Sequence, residues 1–329
     1  MPADRAPIVR LLTTGGTIAT TVDPGGRSAP TLVGARLAER AAVSGVTVEA
    51  IEIGRHPSWS LDPLAMADIA VAARDAARDP GIAGVVVTHG TTTLEYTAFL
   101  ADLFLDGPCP IVLTGAMRRA DDPDPDGPGN LRDAITVAAS GAARDFGAVV
   151  VFAGRVISAR HAWKAHRSQP DAFVDLAGDL GRVADGHVAI DRTVGRLRPF
   201  SGRLDPRVAL VKAVPGQDGV FVRTAVETGA HGLVIEALPG AGGIPPAMRE
   251  EVGRAAEDLP IVLASRAPYG RLPDQPHGGT GEPLLDLPLL SAGGLTAEQA
   301  WLLLMAVLAE TADDAALRRR FHATVAAMT

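Results

Sequence analysis

Two short stretches of this chain hold the side chains best suited to hydroxyl-based chemistry. In "LLTTGGTIATT" the pair Gly15–Gly16 immediately precedes Thr17, so backbone N–H groups can approach a ligand while the Thr17 hydroxyl projects from the turn. In "THGTTTLEYT", residues 88–97, Gly90 is followed by Thr91, Thr92 and Thr93. A threonine hydroxyl is a poor nucleophile at neutral pH and needs a base within hydrogen-bond reach. The Gly-rich turn matches neither GxxxxGK[ST] nor GxGxxG, which argues against a nucleotide cofactor. The run Thr92-Thr93-Leu94-Glu95 matches a capping box, with Thr92 as N-cap and Glu95 at the third helical position. Capping explains one threonine of the three.

Other reactive side chains have plainer readings. Cys109, the single cysteine, sits where an apolar strand begins and reads as a small buried hydrophobe; one cysteine allows no internal disulfide and no multi-cysteine metal site. His161 and His166 are five residues apart, off one helix face, with no nearby carboxylate pair, so no metal site is expected. His89 reads as structural. The acidic run "DDPDPDG" (121–127) lacks EF-hand spacing and reads as a solvated loop.

The elements that must position these residues form an alternating pattern. Short continuous apolar runs ("IVRLLTT", "VTVEAIEI", "GVVVTHG", "PIVLTGA", "GAVVVFAG") alternate with helical periods such as "DPLAMADIAVAARDAA" and "NLRDAITVAASGAA". Runs of this kind suit parallel strands covered on both faces, so the fold class is α/β with a doubly wound, mainly parallel sheet. Ligands of such sheets bind beyond the carboxyl ends of the strands, where both Gly-Thr stretches fall. The stretch from Ala159 onward reads as short strands in hairpins. "TVGRLRPFSGRLDPR" then reads as a linker from about residue 192, giving domains 1–203 and 204–329, the second a smaller α/β unit built on "RVALVKAV", "GLVIEAL" and "PIVLAS".

Composition narrows the class further. The chain has 329 residues, 47% hydrophobic and 21% charged, with a net charge of −7. A sizeable core is expected, and neither a nucleic-acid nor a membrane partner. The N-terminus shows no signal-peptide core, so a cytoplasmic location is expected.

Taken together, "TGGTIA" (14–19) and "THGT" (88–91) resemble the double signature of the bacterial-type L-asparaginase/glutaminase family. "GAMRRADDPDPDGPGNL" (115–131), "SRAPYG" (265–270) and "SAGGLTAEQA" (291–300) agree with it, so the resemblance covers nearly the whole chain. It implies hydrolysis of a small amide through a threonine acyl-enzyme. Thr17 matches the nucleophile and Thr91 the second catalytic threonine, paired with Lys164. Ser58 matches the serine that holds the substrate α-carboxylate. Ala116 lies where a backbone carbonyl receives the leaving nitrogen, and Gly16 and Gly90 offer N–H donors. The glutamate supplied by a neighbouring subunit matches Glu282, one residue out of register. A homo-oligomer, a dimer of intimate dimers, is implied as well.

Several family positions differ here. The motif usually reads T-H-G-T-D-T, and Thr92 stands at the aspartate. That aspartate helps bind the substrate α-ammonium and pairs with the lysine. The asparagine that supports amino-group binding falls at Gly243, and "TTVDPGGRSAPT" lacks the activating tyrosine of the family's mobile N-terminal loop. Tyr96 stands where the family often has a glutamate. These changes predict an altered substrate preference, for an amide lacking a free α-ammonium. The alternatives are a conventional L-asparaginase of low activity and a silent amide-binding protein. Without an adjacent carboxylate, Lys164 is expected to have a depressed pKa.

Overall fold

Continuous β-branched runs become parallel strands here because helices cover both faces of the sheet. The computed structural model describes residues 6–240, 242–273 and 287–328, and the chain divides into two units, Met1–Gly202 and Arg203–Thr329. The first begins with β1 (Ile8–Thr13), the hairpin β2 (Thr20–Val22) and β3 (Ser28–Pro30), α1 (Gly34–Arg40) and β4 (Thr47–Glu52). It continues through α2 (Pro63–Ala77), β5 (Gly84–Thr88), α3 (Leu94–Phe104), β6 (Ile111–Thr114), α4 (Gly127–Ser140) and β7 (Ala148–Phe152). Short strands follow: β8 (Arg155–Ser158), β9 (Ala162–Lys164), β10 (Phe173–Asp175), β11 (Gly181–Ala184) and β12 (His187–Ile190).

The main sheet has eight strands in the order β12-β11-β8-β7-β6-β5-β1-β4. Its half from β4 to β7 is parallel, and β8, β11 and β12 are added antiparallel. Strands β9 and β10 pair separately. Val9, Leu11, Val86, Val112, Val149 and Val151 pack against Leu37 of α1 and against Leu131, Ile135 and Ala138 of α4. Helices α2 and α3 pack together on the sheet. Each such buried Val, Leu or Ile side chain contributes about 1.5–3 kcal/mol. Helix α4 approaches so closely that a Cβ on Gly84 would lie 2.3 Å from the Ala138 carbonyl oxygen. Helix α2 starts on Asp62, whose Oδ1 accepts the Ala65 N–H at 2.8 Å, with Pro63 in its first turn.

The second unit is a parallel four-stranded sheet ordered β13 (Val208–Lys212), β14 (Gly232–Ala237), β15 (Ile261–Ser265), β16 (Leu290–Ser291). Its helices are α5 (Val220–Glu227), α6 (Pro246–Ala255), α7 (Ala297–Leu308) and α8 (Asp314–Ala327). Leu233, Ile235, Ile261 and Leu263 form its core with Met248 and Val252 of α6. A capping box does occur in this unit, at Thr296 and Gln299 of α7.

The segment expected to be a linker is irregular but not loose. Leu197 and Phe200 are buried, and the Phe200 N–H donates to the Leu103 carbonyl at 2.8 Å, so the strap is anchored to the first unit. Among the described residues no helix is long and apolar enough to cross a membrane.

Candidate active site

The register of three neighbouring strands brings the two Gly-Thr stretches together. Thr13 pairs with Thr88, and Thr88 with Thr114, so β1, β5 and β6 end level. Thr14 Oγ1 donates to the Thr88 carbonyl at 2.9 Å, and the His89 N–H to that of Thr114 at 2.8 Å. The turns after β1 and β5 then meet backbone to backbone. A Cβ on Gly16 would lie 2.7 Å from both Cα and N of Gly90. Gly16 also has φ 81 and ψ 179, a conformation nearly reserved for glycine. Thr17, half-buried, opens the short 3-10 turn that follows, and Thr20 Oγ1 holds the Gly16 carbonyl at 2.9 Å.

Behind this junction lie the other strand-end residues. A Cβ on Gly90 would lie 2.5 Å from Ser58 Oγ, so the buried Ser58 side chain faces the same turn. A Cβ on Gly127 would meet Ile18 at 2.7 Å and the Ala116 Cβ at 3.3 Å, which places buried Ala116 beside the residue after Thr17. The structure thus gathers Gly16, Thr17, Ser58, Gly90, Thr91 and Ala116 at one end of the sheet.

Lys164 reaches this cluster from β9. Its Nζ donates to Thr91 Oγ1 at 2.8 Å, across 73 residues of sequence. Burial pushes the Lys164 amine below its ordinary value, and the Glu95 carboxylate opposes that. Glu95 also accepts the Lys164 main-chain N–H. The expected depression of the Lys164 pKa is therefore present, but the expected absence of an adjacent carboxylate is not.

The capping-box reading of Thr92 is corrected in the same place. Helix α3 begins at Leu94 with Thr93 as N-cap, and no side chain caps it. Thr93 Oγ1 instead donates to the Ser58 carbonyl at 2.9 Å, tying the Ser58 turn to the start of α3. Glu95 is turned toward Lys164, and Thr92 is exposed. The long-range partners of Thr93 and Glu95 take precedence over the local cap.

Two residues that sequence reasoning missed hold the frame. Buried Asn130 donates to the Gly115 carbonyl at 3.0 Å and accepts the Ala153 N–H at 3.0 Å. Asp126 accepts the Met117 and Arg118 N–H groups at 2.9 and 2.8 Å. Both lie in "DGPGN", which carried the resemblance without revealing this task. Asp121 of the acidic run likewise accepts the Val22 N–H at 2.7 Å, docking the β2–β3 hairpin. Among the described residues no cluster of ligands suits a metal ion.

His89 is fully buried between the Gly90 carbonyl, 2.9 Å from Nδ1, and Thr97 Oγ1, 3.0 Å from Nε2. Burial pulls its pKa down to about 4. The imidazole is neutral at physiological pH and braces the turn. Cys109 is buried, and burial pushes its thiol pKa up. Tyr96 is half-buried on the first turn of α3. Gly243 makes an isolated bridge with Leu238 in the second unit. Glu282 lies outside the described residues.

Family models match both units: "Asparaginase, N-terminal" over residues 8–195 and "Glutaminase/Asparaginase C-terminal domain" over 207–321. A probable L-asparaginase of Deinococcus radiodurans is 38% identical over 98% of this chain and 98% of its own length. A glutamyl-tRNA(Gln) amidotransferase component of Methanopyrus kandleri is 31% identical over 98% of this chain and 75% of its own. The solved structure of the thermostable L-asparaginase from Thermococcus kodakarensis superposes with a TM-score of 0.86 at 28% identity, covering 98% of each chain. With both halves matched and the strand-end cluster in place, this chain belongs to the asparaginase/glutaminase family of amidohydrolases, which act on carbon–nitrogen bonds other than peptide bonds.

Proposed function

We propose that this chain hydrolyses a small amide by way of an acyl-enzyme on Thr17. The observation that carries the reading is the 2.8 Å hydrogen bond from Lys164 Nζ to Thr91 Oγ1, made beside the Gly16–Gly90 junction. Thr17 Oγ attacks the amide carbonyl carbon, the C–N bond breaks, and the nitrogen departs past the Ala116 carbonyl, as ammonia from a primary amide or as the tethered amine or amide of an opened ring. Water then cleaves the resulting ester and restores the Thr17 hydroxyl. Neutral Lys164 takes the Thr17 proton through Thr91 and returns it to the departing nitrogen, and N–H groups of the two glycine turns stabilise the oxyanion, each typically worth ~3–4 kcal/mol. No cofactor is invoked.

Substrate preference is the second part of the proposal. Thr92 is neutral where the family carries a carboxylate, and Gly243 has no side chain where the family carries an asparagine. Losing a carboxylate opposite a desolvated ammonium costs ~2–5 kcal/mol, or roughly 30- to several-thousand-fold in turnover. The preferred substrate is therefore an amide without a free α-ammonium: N-acylated, cyclic, or a dicarboxylic monoamide. Family membership supports a homo-oligomer, a dimer of intimate dimers, acting on this small molecule in the cytoplasm.

Ammonia release across a panel of amides, with lactams and imides followed by mass spectrometry, tests both parts. An acyl adduct on Thr17 and faster turnover of ammonium-free amides are expected. Turnover of free L-asparagine at the rate of an ordinary asparaginase sinks the altered preference. Saturable binding with no adduct and no turnover identifies a silent amide binder instead.

A further inference from the structure

The motif aspartate missing at Thr92 has two tasks in this family, and the structure bears on the one that concerns the lysine. We propose that Glu95 is the positioning residue that serves Lys164 in its place: its carboxylate anchors the Lys164 main chain, and from there its charge acts on the amine without direct contact. This inference rests on the reading of Lys164 as the base.

The geometry is specific. Lys164 is the last residue of β9, and its two polar ends are held from the same stretch of chain. Nζ is bonded to Thr91 Oγ1, and the main-chain N–H to Glu95 Oε2, four residues further on. The pair Thr91–Glu95 thus fixes the lysine at both ends of its side chain. Glu95 lies in the first turn of α3, where the helix dipole favours a carboxylate. Both Glu95 and Lys164 are half-buried, so their charges interact through a medium less polar than water.

Among the described residues, the other elements around Lys164 bring no equivalent charge. Across the β9–β10 pair, Phe173 stands opposite Lys164, and Asp175 is opposite Ala162. Asp175 is committed elsewhere, to the Ser158 and Ala177 N–H groups at 2.9 Å, with His161 and Arg192 at 3.6 Å. On the segment after β9, His166 Nδ1 accepts the Ser168 and Gln169 N–H groups. Thr92 is exposed and uncharged. The charge that opposes desolvation of the Lys164 amine is that of Glu95.

Glu95→Gln in the full chain separates charge from hydrogen bonding, because the amide oxygen still accepts the Lys164 N–H. The Lys164 titration is read by pH-dependent acetylation with acetic anhydride and peptide mass spectrometry, which needs no substrate. In E95Q it should fall by about a unit or more, and the acid limb of kcat/KM should move down with it. Adding Thr92→Asp to E95Q returns a carboxylate to the motif position and should restore the parent titration. An unchanged Lys164 titration in folded E95Q overturns the proposal, as does a double variant left as low as E95Q. Failure of the underlying reading looks different: Lys164→Met would turn over substrate like the parent while the E95Q titration still moved.

Discussion

Three consecutive threonines have three separate fates. Thr91 meets Lys164, Thr93 ties the Ser58 turn to α3, and Thr92 faces solvent. Adding a carboxylate at Thr92 should favour the charged form of Lys164. Its folded-state pKa then rises, and a higher pH is needed to free the amine. Thr92→Asp alone is therefore expected to move the acid limb of kcat/KM upward by about a unit; an unmoved limb argues against Lys164 as base. His89 gives a second pH-dependent outcome, in stability. Its folded pKa of about 4 lies below the ordinary value of 6.5, so the stabilisation is complete above that value. It is lost as pH falls from there through the folded value, about 3 kcal/mol in all. Urea midpoints should fall over this window in the parent, and that component should vanish in His89→Gln. Thr17, Thr91 and Lys164 were legible as candidates because residue type and motif identify them. The task of Glu95 was not, since a carboxylate after a threonine satisfies a local cap equally well. Its partner lies 69 residues away, and only the approach of β9 decides between the two.

At the scale of elements, the strands were legible because buried parallel strands write themselves as unbroken apolar runs. Registers and turn contacts were not, because they depend on which backbone atoms meet. The Gly16–Gly90 contact is the clearest case. Gly16→Ala puts a methyl 2.7 Å from backbone atoms that have no rotamer to yield, on a residue at φ 81. It should cost ~1–3 kcal/mol from backbone strain alone, with overpacking added, and both stability and turnover should suffer. Gly90→Ala meets a side chain instead, with Ser58 Oγ at 2.5 Å and its Cβ at 2.7 Å. Rotation of Ser58 relieves the Oγ contact but leaves its Cβ in place, so the turn that carries Ser58 must shift and this variant is expected to lose stability as well. If Ser58 holds the substrate carboxylate, KM should rise about tenfold or more while kcat changes less. Equal losses in kcat and kcat/KM would assign Ser58 to the transition state rather than to binding.

Over the whole molecule, the two-unit plan was legible from the change in composition near residue 200, but the device that locks the first unit was not. Arg160 and Asp102 form an ion pair whose side chains are only 2% and 1% exposed. Asp102 of α3 also accepts the Ala148 N–H of β7 at 2.9 Å, and Arg160 donates to the Gly195 carbonyl in the strap at 2.9 Å. A helix, a central strand and the strap are thereby joined through two charges that nothing in their local sequence sets apart. Removing one partner leaves a buried carboxylate without its counter-ion, a loss of ~3–5 kcal/mol. Exposed pairs behave differently: Arg36 and Glu39, 69% and 62% exposed, are solvated whether paired or not. Cys109, the single cysteine, is buried in the first unit and reports its opening. Native-state labelling of that thiol should accelerate by about a hundred- to a few-thousand-fold in Arg160→Met, the loss above converted at ~1.4 kcal/mol per factor of ten. In Arg36→Ala it should change by no more than about fivefold. Equal labelling in the two variants would mean that the buried pair does not hold the first unit closed.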